Sequence, residues 1–154
     1  MKVRIVLDKD LIEEEVIIKC NKMTPMIKKL QENLLEAIQT TPLIVFYKAH
    51  KEYYLELSTI LFFETDGNNT YAHPRQDAYI TKKRLYELEE LLPKSFIRIS
   101  KSTIVNTTHI LSLSNSFGSS TLVEFEQSHK QVYVSRRYLK SLKQRLEERR
   151  NYEI

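Results

Sequence analysis

The most informative segment of the sequence is Phe96-Ile97-Arg98-Ile99-Ser100-Lys101-Ser102-Thr103-Ile104-Val105-Asn106. It follows a helical pattern that stops at Pro93, begins as an apolar strand, and turns apolar again after Ser100-Lys101-Ser102. Three polar residues between two largely β-branched runs predict a polar loop that joins two strands. Loops held by a rigid β framework are common places for binding groups, so this loop is a candidate binding site.

The residues on either side are patterned as short strands with few helices. Asp66-Gly67 predicts a tight turn, because glycine accepts a positive φ without strain, and 48–51 predicts a hairpin turn. Leucines at helical spacing predict one helix from Thr81 to Pro93 and a final helix starting near Arg136. Strands are predicted at 43–47, 53–57, 60–63, 71–73, 78–80, 96–99, 103–106, 109–114, 121–126 and 131–135. The pattern therefore predicts a mostly β (α+β) domain built from antiparallel strands.

The first 42 residues have a different pattern. Alternating apolar residues over 3–7 and the run 16–18 predict two strands. Thr24-Pro25 is typical of a helix start, and apolar residues then recur at helical spacing over 27–38. Residues 1–42 are therefore expected to form a β-β-α segment that packs on the following domain or on a second subunit.

Size and composition exclude several classes of protein. A chain of 154 residues suits one domain or a domain with a small appendage. The single cysteine, Cys20, cannot form an internal disulfide, which favours a reducing compartment. No apolar run approaches the length of a membrane span, and the N-terminus lacks the apolar core of a signal peptide. A cytoplasmic protein is expected.

The formal net charge of +4 is unevenly distributed. Residues 1–42 have a net charge of 0, residues 43–94 of −1, and residues 95–154 of +5. A basic surface raises the local concentration of polyanions such as nucleic acid. A solvated helix with basic residues near its C-terminal end explains the charge equally well.

Three places have residue types that suit nucleic-acid binding. Arg136 and Arg137 lie where a helix dipole is positive, which is unfavourable for the helix but suits a phosphate or guanine ligand. The alternative is that both point into water or meet nearby glutamates. The loop at 100–102 offers donors to phosphates or bases, although an exposed lysine is usually only solvated. Asn68 and Asn69 fit ordinary turn chemistry and also fit adenine recognition.

Other chemistries have little support in the sequence. The four histidines and Cys20 form no pair with metal-ligand spacing. Neither a glycine-rich phosphate loop nor a nucleophile motif occurs. We expect no catalytic residue, no metal, no cofactor and no small-molecule substrate, and therefore a protein that is not an enzyme.

Four segments, which follow one another in the expected order along the chain, together resemble the LytTR DNA-binding domain of bacterial transcriptional regulators. They are Ile60-Leu61-Phe62-Phe63-Glu64, Leu88-Glu89-Glu90-Leu91-Leu92-Pro93, the 96–106 stretch above, and Val134-Ser135-Arg136-Arg137-Tyr138. The resemblance implies an elongated stack of antiparallel sheets with short helices. It also implies that loops, rather than a recognition helix, enter successive major grooves of double-stranded DNA. The DNA-binding residues that it implies are Asn68, Asn69, Thr70, Ser100, Lys101, Arg136 and Arg137.

The resemblance also implies a domain organisation and partners. Residues 43–148 correspond to the DNA-binding domain, 149–154 to a C-terminal tail, and 1–42 to a packing or dimerisation segment in place of a receiver domain. A sequence-specific transcriptional regulator is implied, acting as a homodimer on promoter DNA, with a membrane protein as a regulatory partner. The alternative is a protein-interaction module that acts through 1–42, with DNA contact incidental.

Overall fold

The computed structural model describes residues 1–38, 42–115, 118 and 120–151. The chain divides into two compact units, Met1–Thr40 and Thr41–Ile154. Within the described residues there are three α-helices, two short 3₁₀ helices at Leu57–Thr59 and Thr107–His109, and ten strands. The helices are α1 (Pro25–Ile38), α2 (Leu85–Leu91) and α3 (Arg136–Asn151). The strands are β1 (Phe46–Lys48), β2 (Lys51–Tyr53), β3 (Phe62–Asp66), β4 (Asn69–His73), β5 (Tyr79–Thr81), β6 (Phe96–Arg98), β7 (Thr103–Asn106), β8 (Ile110–Asn115), β9 (Thr121–Phe125) and β10 (Gln131–Val134).

The second unit contains two antiparallel sheets. The larger has the strand order β2-β1-β5-β4-β3-β7-β6, and the smaller has the order β10-β9-β8. Every strand pair in both sheets is antiparallel. The predicted mostly β architecture of antiparallel sheets with short helices is confirmed. The final helix extends through Asn151, into what was expected to be a tail.

The central strands bury both faces, because successive side chains of a strand point to opposite sides. Phe63 and Ile104 belong to one apolar cluster, which also contains the buried leucines of α2. Phe62 and Val105 belong to a second cluster, which joins the large sheet to the small sheet and to Leu142 of α3. The register that pairs Phe62 with Val105 and Phe63 with Ile104 keeps each residue in its own cluster.

The predicted hairpin at 48–51 is formed by β1 and β2, and its turn residues are strained. Ala49 and His50 have φ values of 50° and 64°, where a Cβ costs about 1 kcal/mol and glycine costs little. Replacing Ala49-His50 by Asn-Gly, the pair that this turn favours, should raise the free energy of unfolding by about 1 kcal/mol. Urea denaturation measures the change. His50→Ala keeps a Cβ and should give no gain; an Asn-Gly variant no more stable than this control would contradict the expectation.

The helix predicted from Thr81 begins later than expected. Thr81 is the last residue of β5 and is buried, with an exposure of 3%. Its Oγ1 accepts a hydrogen bond from the backbone N–H of Lys83, at 3.3 Å. The residue at the helix N-cap is Arg84, whose backbone N–H donates to the Glu87 carboxylate at 3.2 Å. The prediction was wrong because strand pairing with β4 takes precedence over local capping preference.

The first unit contains the predicted helix with its predicted cap. The Oγ1 of Thr24 accepts a hydrogen bond from the backbone N–H of Ile27, at 3.2 Å. The carbonyl of Thr24 accepts the first helical bond, from Lys28, at 3.0 Å. Pro25 occupies the first helical position, where its missing N–H leaves nothing unsatisfied.

The two strands predicted in residues 1–24 are not formed in the structure. A turn lies at residues 9–10, and the Asp8 carboxylate accepts a hydrogen bond from the backbone N–H of Asp10, at 3.0 Å. One groove is lined by residues in and beside both predicted strands, among them Lys2, Arg4, Val6, Glu15, Ile17 and Lys19. The alternating pattern predicted strands, but a lone two-stranded hairpin is only marginally stable in water.

A lysine joins the two sheets at the end of the large sheet that contains the β4–β5 connection. The Nζ of Lys130 donates to the backbone carbonyls of Pro74, at 2.9 Å, and Asp77, and lies 3.2 Å from His73 Nδ1. The His73 ring stacks on Phe62, with 4.3 Å between the ring centroids. Burial lowers the pKa of His73 to about 4, and the Lys130 ammonium acts in the same direction.

The unfolding free energy is expected to depend on pH through His73. Its pKa in the folded state is below the ordinary value of 6.5, so the unfolded chain binds more protons between pH 6.5 and about 4. Stability is therefore highest above pH 6.5 and falls as the pH decreases towards 4. Burial raises the pKa of Glu64, which gives an effect of opposite sign, so the comparison must isolate the histidine. Urea denaturation across this range should show a weaker pH dependence for His73→Gln than for the wild type; equal slopes would contradict the assignment.

Candidate nucleic-acid interface

Two of the three predicted binding places lie at the same end of the large sheet. The β3–β4 turn and the β6–β7 loop adjoin because β3 and β7 are antiparallel neighbours, with Glu64 opposite Thr103. The backbone N–H of Thr65 donates to the carbonyl of Ser102, at 2.8 Å, and continues the pairing into the loop. The register of two central strands thus brings together residues that are more than thirty positions apart.

The start of α3 is attached to the same loop. The backbone N–H of Ser135 donates to the carbonyl of Ile99, at 2.9 Å, and its hydroxyl reaches the same oxygen at 3.4 Å. The carbonyl of Ser135 accepts a bond from the N–H of Tyr138, which begins the helix. Arg136 and Arg137 therefore emerge beside the β6–β7 loop, and all three predicted places meet at one end of the domain.

The β3–β4 turn has the geometry that its sequence predicts. Asp66 pairs with Asn69 across two central residues, and Gly67 has a φ of +62°. A glycine at the first central position is typical of the type II′ hairpin turn. Asn68 and Asn69 are exposed, and the Asn69 side chain donates to the Tyr71 hydroxyl at 3.5 Å.

Thr70 does not belong to the exposed part of this turn. It lies within β4 between Thr65 and Thr81, and only 6% of it is exposed. A side chain in that place cannot reach a DNA base without opening the sheet. We therefore remove Thr70 from the candidate contact residues.

Four consecutive carbonyl oxygens of the β6–β7 loop accept hydrogen bonds from inside the domain. Ile99 accepts from Ser135, and Ser102 accepts from Thr65. The two carbonyls between them are held by one side chain, since Arg98 donates through Nε to the Ser100 carbonyl, at 2.6 Å, and through Nη2 to the Lys101 carbonyl. The negative ends of these peptide dipoles are thus satisfied internally.

The cations at this end of the domain are available for a ligand. Lys101, Arg136 and Arg137 are exposed, and none of them forms an ion pair within the part of the chain that the structure describes. The Arg137 guanidinium lies 5.9 Å from the centroid of the Tyr138 ring, and the start of α3 adds partial positive charge. Ser100 is half-buried, and its Oγ accepts from the backbone N–H of Ser102 at 3.2 Å.

Sequence reasoning missed the roles of Arg98 and Ser135. Both hold the β6–β7 loop, and neither is a candidate ligand contact. An arginine immediately before a polar loop is a weak signal, because the loop carbonyls need donors that a strand arginine can supply. Ser135 just before a predicted helix is a stronger signal, since serine favours positions at helix starts.

The described residues contain no group of three or more His, Cys, Asp or Glu side chains arranged to hold a metal ion. Each helix in the described part of the chain is too short or too polar to cross a bilayer.

This chain is similar to known proteins both in its fold and in its sequence. A solved LytTr DNA-binding domain, from a putative methyl-accepting/DNA response regulator of Bacillus cereus, superposes with a TM-score of 0.62 and 27% identity, and the match covers 68% of this chain and 97% of that one. The sheets and loops described above thus define a DNA-binding domain. Residues 44–147 match the model of the LytTr DNA-binding domain family. The chain belongs to the LytTr DNA-binding domain family, which confirms the resemblance.

Full-length relatives extend the similarity into the first unit. Proteins from Staphylococcus aureus strain bovine RF122 / ET3-1 and strain NCTC 8325 are each 32% identical over 146 residues. The alignments cover 95% of this chain and 98% of each relative. Both are described as uncharacterized HTH-type transcriptional regulators. The family is one of DNA-binding domains and not of enzymes.

Proposed function

We propose that this protein is a sequence-specific regulator of transcription that binds double-stranded DNA through the β3–β4 turn, the β6–β7 loop and the start of α3. The observation that supports this best is the convergence of the three at one end of the large sheet, with Lys101, Arg136 and Arg137 exposed. The end of a rigid sheet that presents cations at separate positions suits a duplex, because the phosphates and bases of a duplex are spaced along its length.

Each residue has a role that fits its chemistry. Arg137 grips a guanine with two hydrogen bonds, and Lys101 contacts a base edge or phosphate in the next groove. Asn68 and Asn69 offer amide donors and acceptors that match adenine. Arg136 and the Ser100 hydroxyl contact the phosphate backbone. These phosphate contacts fix the register of the domain on DNA.

The order of the elements supports recognition through loops. A helix-turn-helix needs two helices that follow one another in the chain. Here α2 and α3 are separated by five strands, β6 to β10. The relatives are named HTH-type regulators, yet in this chain the exposed cations of the candidate interface, Lys101, Arg136 and Arg137, lie on a loop and at a helix start. Loop insertion into successive major grooves is therefore the geometry that we propose.

A binding measurement tests the proposal. The wild-type chain is used to enrich duplexes from a random library, and fluorescence anisotropy then compares the enriched duplex with a scrambled one over a salt series. We expect preference for the enriched duplex and a log–log salt slope of roughly −2 per subunit, because two cations, Arg136 and Lys101, neutralise phosphates. The control variant is Lys51→Ala, which removes one positive charge at the opposite end of the large sheet, where β1 turns into β2. Failure to enrich any sequence, or a flat salt response, would contradict the proposal.

We further propose that the first unit is an assembly device that pairs with a second copy of this chain. A unit of about 40 residues rarely buries enough surface to be stable alone. Val3, Ile5 and Leu7 are 86–92% exposed, on a segment whose alternating pattern suits a strand, although residues 1–24 form no strand. The same unit has a net charge of 0 over residues 1–42, so two copies do not repel each other.

Sedimentation equilibrium of the full chain tests this pairing. We expect a dimer for the wild type and a monomer for Val3→Lys/Leu7→Lys, because charged groups on the paired face are costly to bury. Ile12→Lys is the matched control, since Ile12 is fully exposed in the connection between the two segments. A wild-type chain that stays monomeric at high concentration would contradict pairing. It would favour docking of this unit on another protein, with a membrane protein as the partner to test first.

A further inference from the structure

We infer that Arg98 is a positioning residue for DNA recognition: its guanidinium fixes the backbone of the β6–β7 loop and so sets where Lys101 meets DNA. This inference rests on the function proposed above. Arg98 itself is mostly covered, with 22% of its side chain exposed, and it is committed to internal partners. It therefore acts through the loop and not through its own charge.

The contacts use three donors of one planar group. Nε donates to the Ser100 carbonyl at 2.6 Å, Nη2 donates to the Lys101 carbonyl, and Nη1 pairs with Glu89 of α2 at 2.7 Å. The two carbonyls belong to adjacent peptide units, so their positions relative to each other are fixed by a rigid fork. Glu89 fixes the fork in turn, because it extends from a helix whose leucines are buried.

A lysine at position 98 cannot reproduce this arrangement. Its ammonium carries the same charge, but it is a compact point on a flexible stem, without the planar fork that matches three acceptors at once. The loop carbonyls of Ser100 and Lys101 would then turn to water. If the loop becomes ordered only on binding, the protein binds DNA less tightly, because the entropy lost in ordering the loop reduces the binding free energy.

The decisive variant is therefore Arg98→Lys, which keeps the net charge and removes the fork. We expect affinity for the enriched duplex to fall about tenfold, while affinity for scrambled DNA changes little. The salt slope for the enriched duplex should fall by about one, as in Lys101→Ala, although the total charge is unchanged. If Arg98 had a purely structural role, Arg98→Lys would lower the midpoint of thermal unfolding, but the folded variant would bind DNA with the same salt slope as the wild type.

A double-mutant cycle separates positioning from independent contact. If Arg98 acts through Lys101, Arg98→Lys should add little to the loss already caused by Lys101→Ala. Arg75→Lys is the matched control, because Arg75 also donates through Nε to a backbone carbonyl, that of Glu126, at 3.3 Å, on loops at the other end of the large sheet. This control should bind both duplexes as the wild type does.

The outcomes distinguish the two proposals. If the wild type enriches no duplex, the proposed function fails. If the wild type binds and Lys101→Ala weakens binding, but Arg98→Lys binds normally or the two losses add, positioning by Arg98 is overturned. Should Arg98→Lys be unfolded at the assay temperature, Glu89→Ala replaces it, since it releases the fork from α2 alone. A smaller loss that does not add to Lys101→Ala supports the inference, and an unchanged or additive result overturns it.

Discussion

Replacing Arg137 by alanine should weaken binding to the enriched duplex by about 1–3 kcal/mol, which is roughly a tenfold to hundredfold loss. The guanidinium is exposed at the start of α3, free of ion pairs among the described residues, and adjacent to the segment that Ser135 ties to the β6–β7 loop. Removing it deletes a bidentate contact with a base and one positive charge. Anisotropy at fixed salt measures the loss.

Two further variants show which part of Arg137 matters. Arg137→Lys keeps the charge but cannot form the two parallel bonds to guanine, so it should lose most of the specific affinity and retain binding to scrambled DNA. Lys51→Ala removes a charge far from the candidate interface and should bind as the wild type does. Equal affinity of Arg137→Ala and the wild type for the enriched duplex would remove Arg137 from the interface.

Replacing Phe63 by alanine should lower the free energy of unfolding by about 3–5 kcal/mol. The Phe63 side chain is fully buried, and it is the second residue of β3. Its ring lies 6.4 Å from that of Phe46 and 5.8 Å from that of Phe96, between centroids. The truncation leaves a cavity between strands that are held in place on both sides, so the surroundings collapse only in part.

Urea denaturation of Phe63→Ala should therefore show a much lower midpoint than the wild type. Tyr86→Ala is the matched control, because Tyr86 is an aromatic residue on α2 that is 63% exposed, and its loss should change stability by less than about 0.5 kcal/mol. The DNA affinity of Phe63→Ala should fall as well, at urea concentrations near its unfolding midpoint. The reason is that the Phe63 ring packs on Phe96, the first residue of the strand that leads into the β6–β7 loop. Similar stability of the two variants would mean that the first apolar cluster is not the core of the domain.

Much of the fold was predictable, because local patterns and tertiary contacts agree there. Adjacent apolar residues such as Phe62 and Phe63 predict a strand buried on both faces, and Asp66-Gly67 predicts a turn because few residues other than glycine adopt its φ. The leucine spacing after Arg136 predicts α3, and Leu142 is indeed fully buried. At these positions the residue types next to one another in the sequence are sufficient to specify the local structure.

The remainder depends on partners that are distant in the chain. Whether Thr70 is exposed depends on the register of β4 with both of its neighbours, which the residues near it do not encode. The N-terminal strands were predicted from an alternating pattern at 3–7 and an apolar run at 16–18, but strands also need a pairing partner. The position of Arg98 between Glu89 and the loop carbonyls depends on how α2 packs, so the candidate interface was predicted by residue type while its support was not.

Three separate segments of the chain are expected to bind one duplex together. Nuclear magnetic resonance of the full chain, titrated with the enriched duplex, measures this for each segment, because each backbone amide reports on its own surroundings. We expect the amides of 66–69, 99–102 and 135–138 to shift in one titration with a single apparent affinity, while those of the β1–β2 turn at 49–50 stay unchanged. Shifts confined to α1, or to the opposite end of the large sheet, would mean that these three segments do not form the DNA-binding surface.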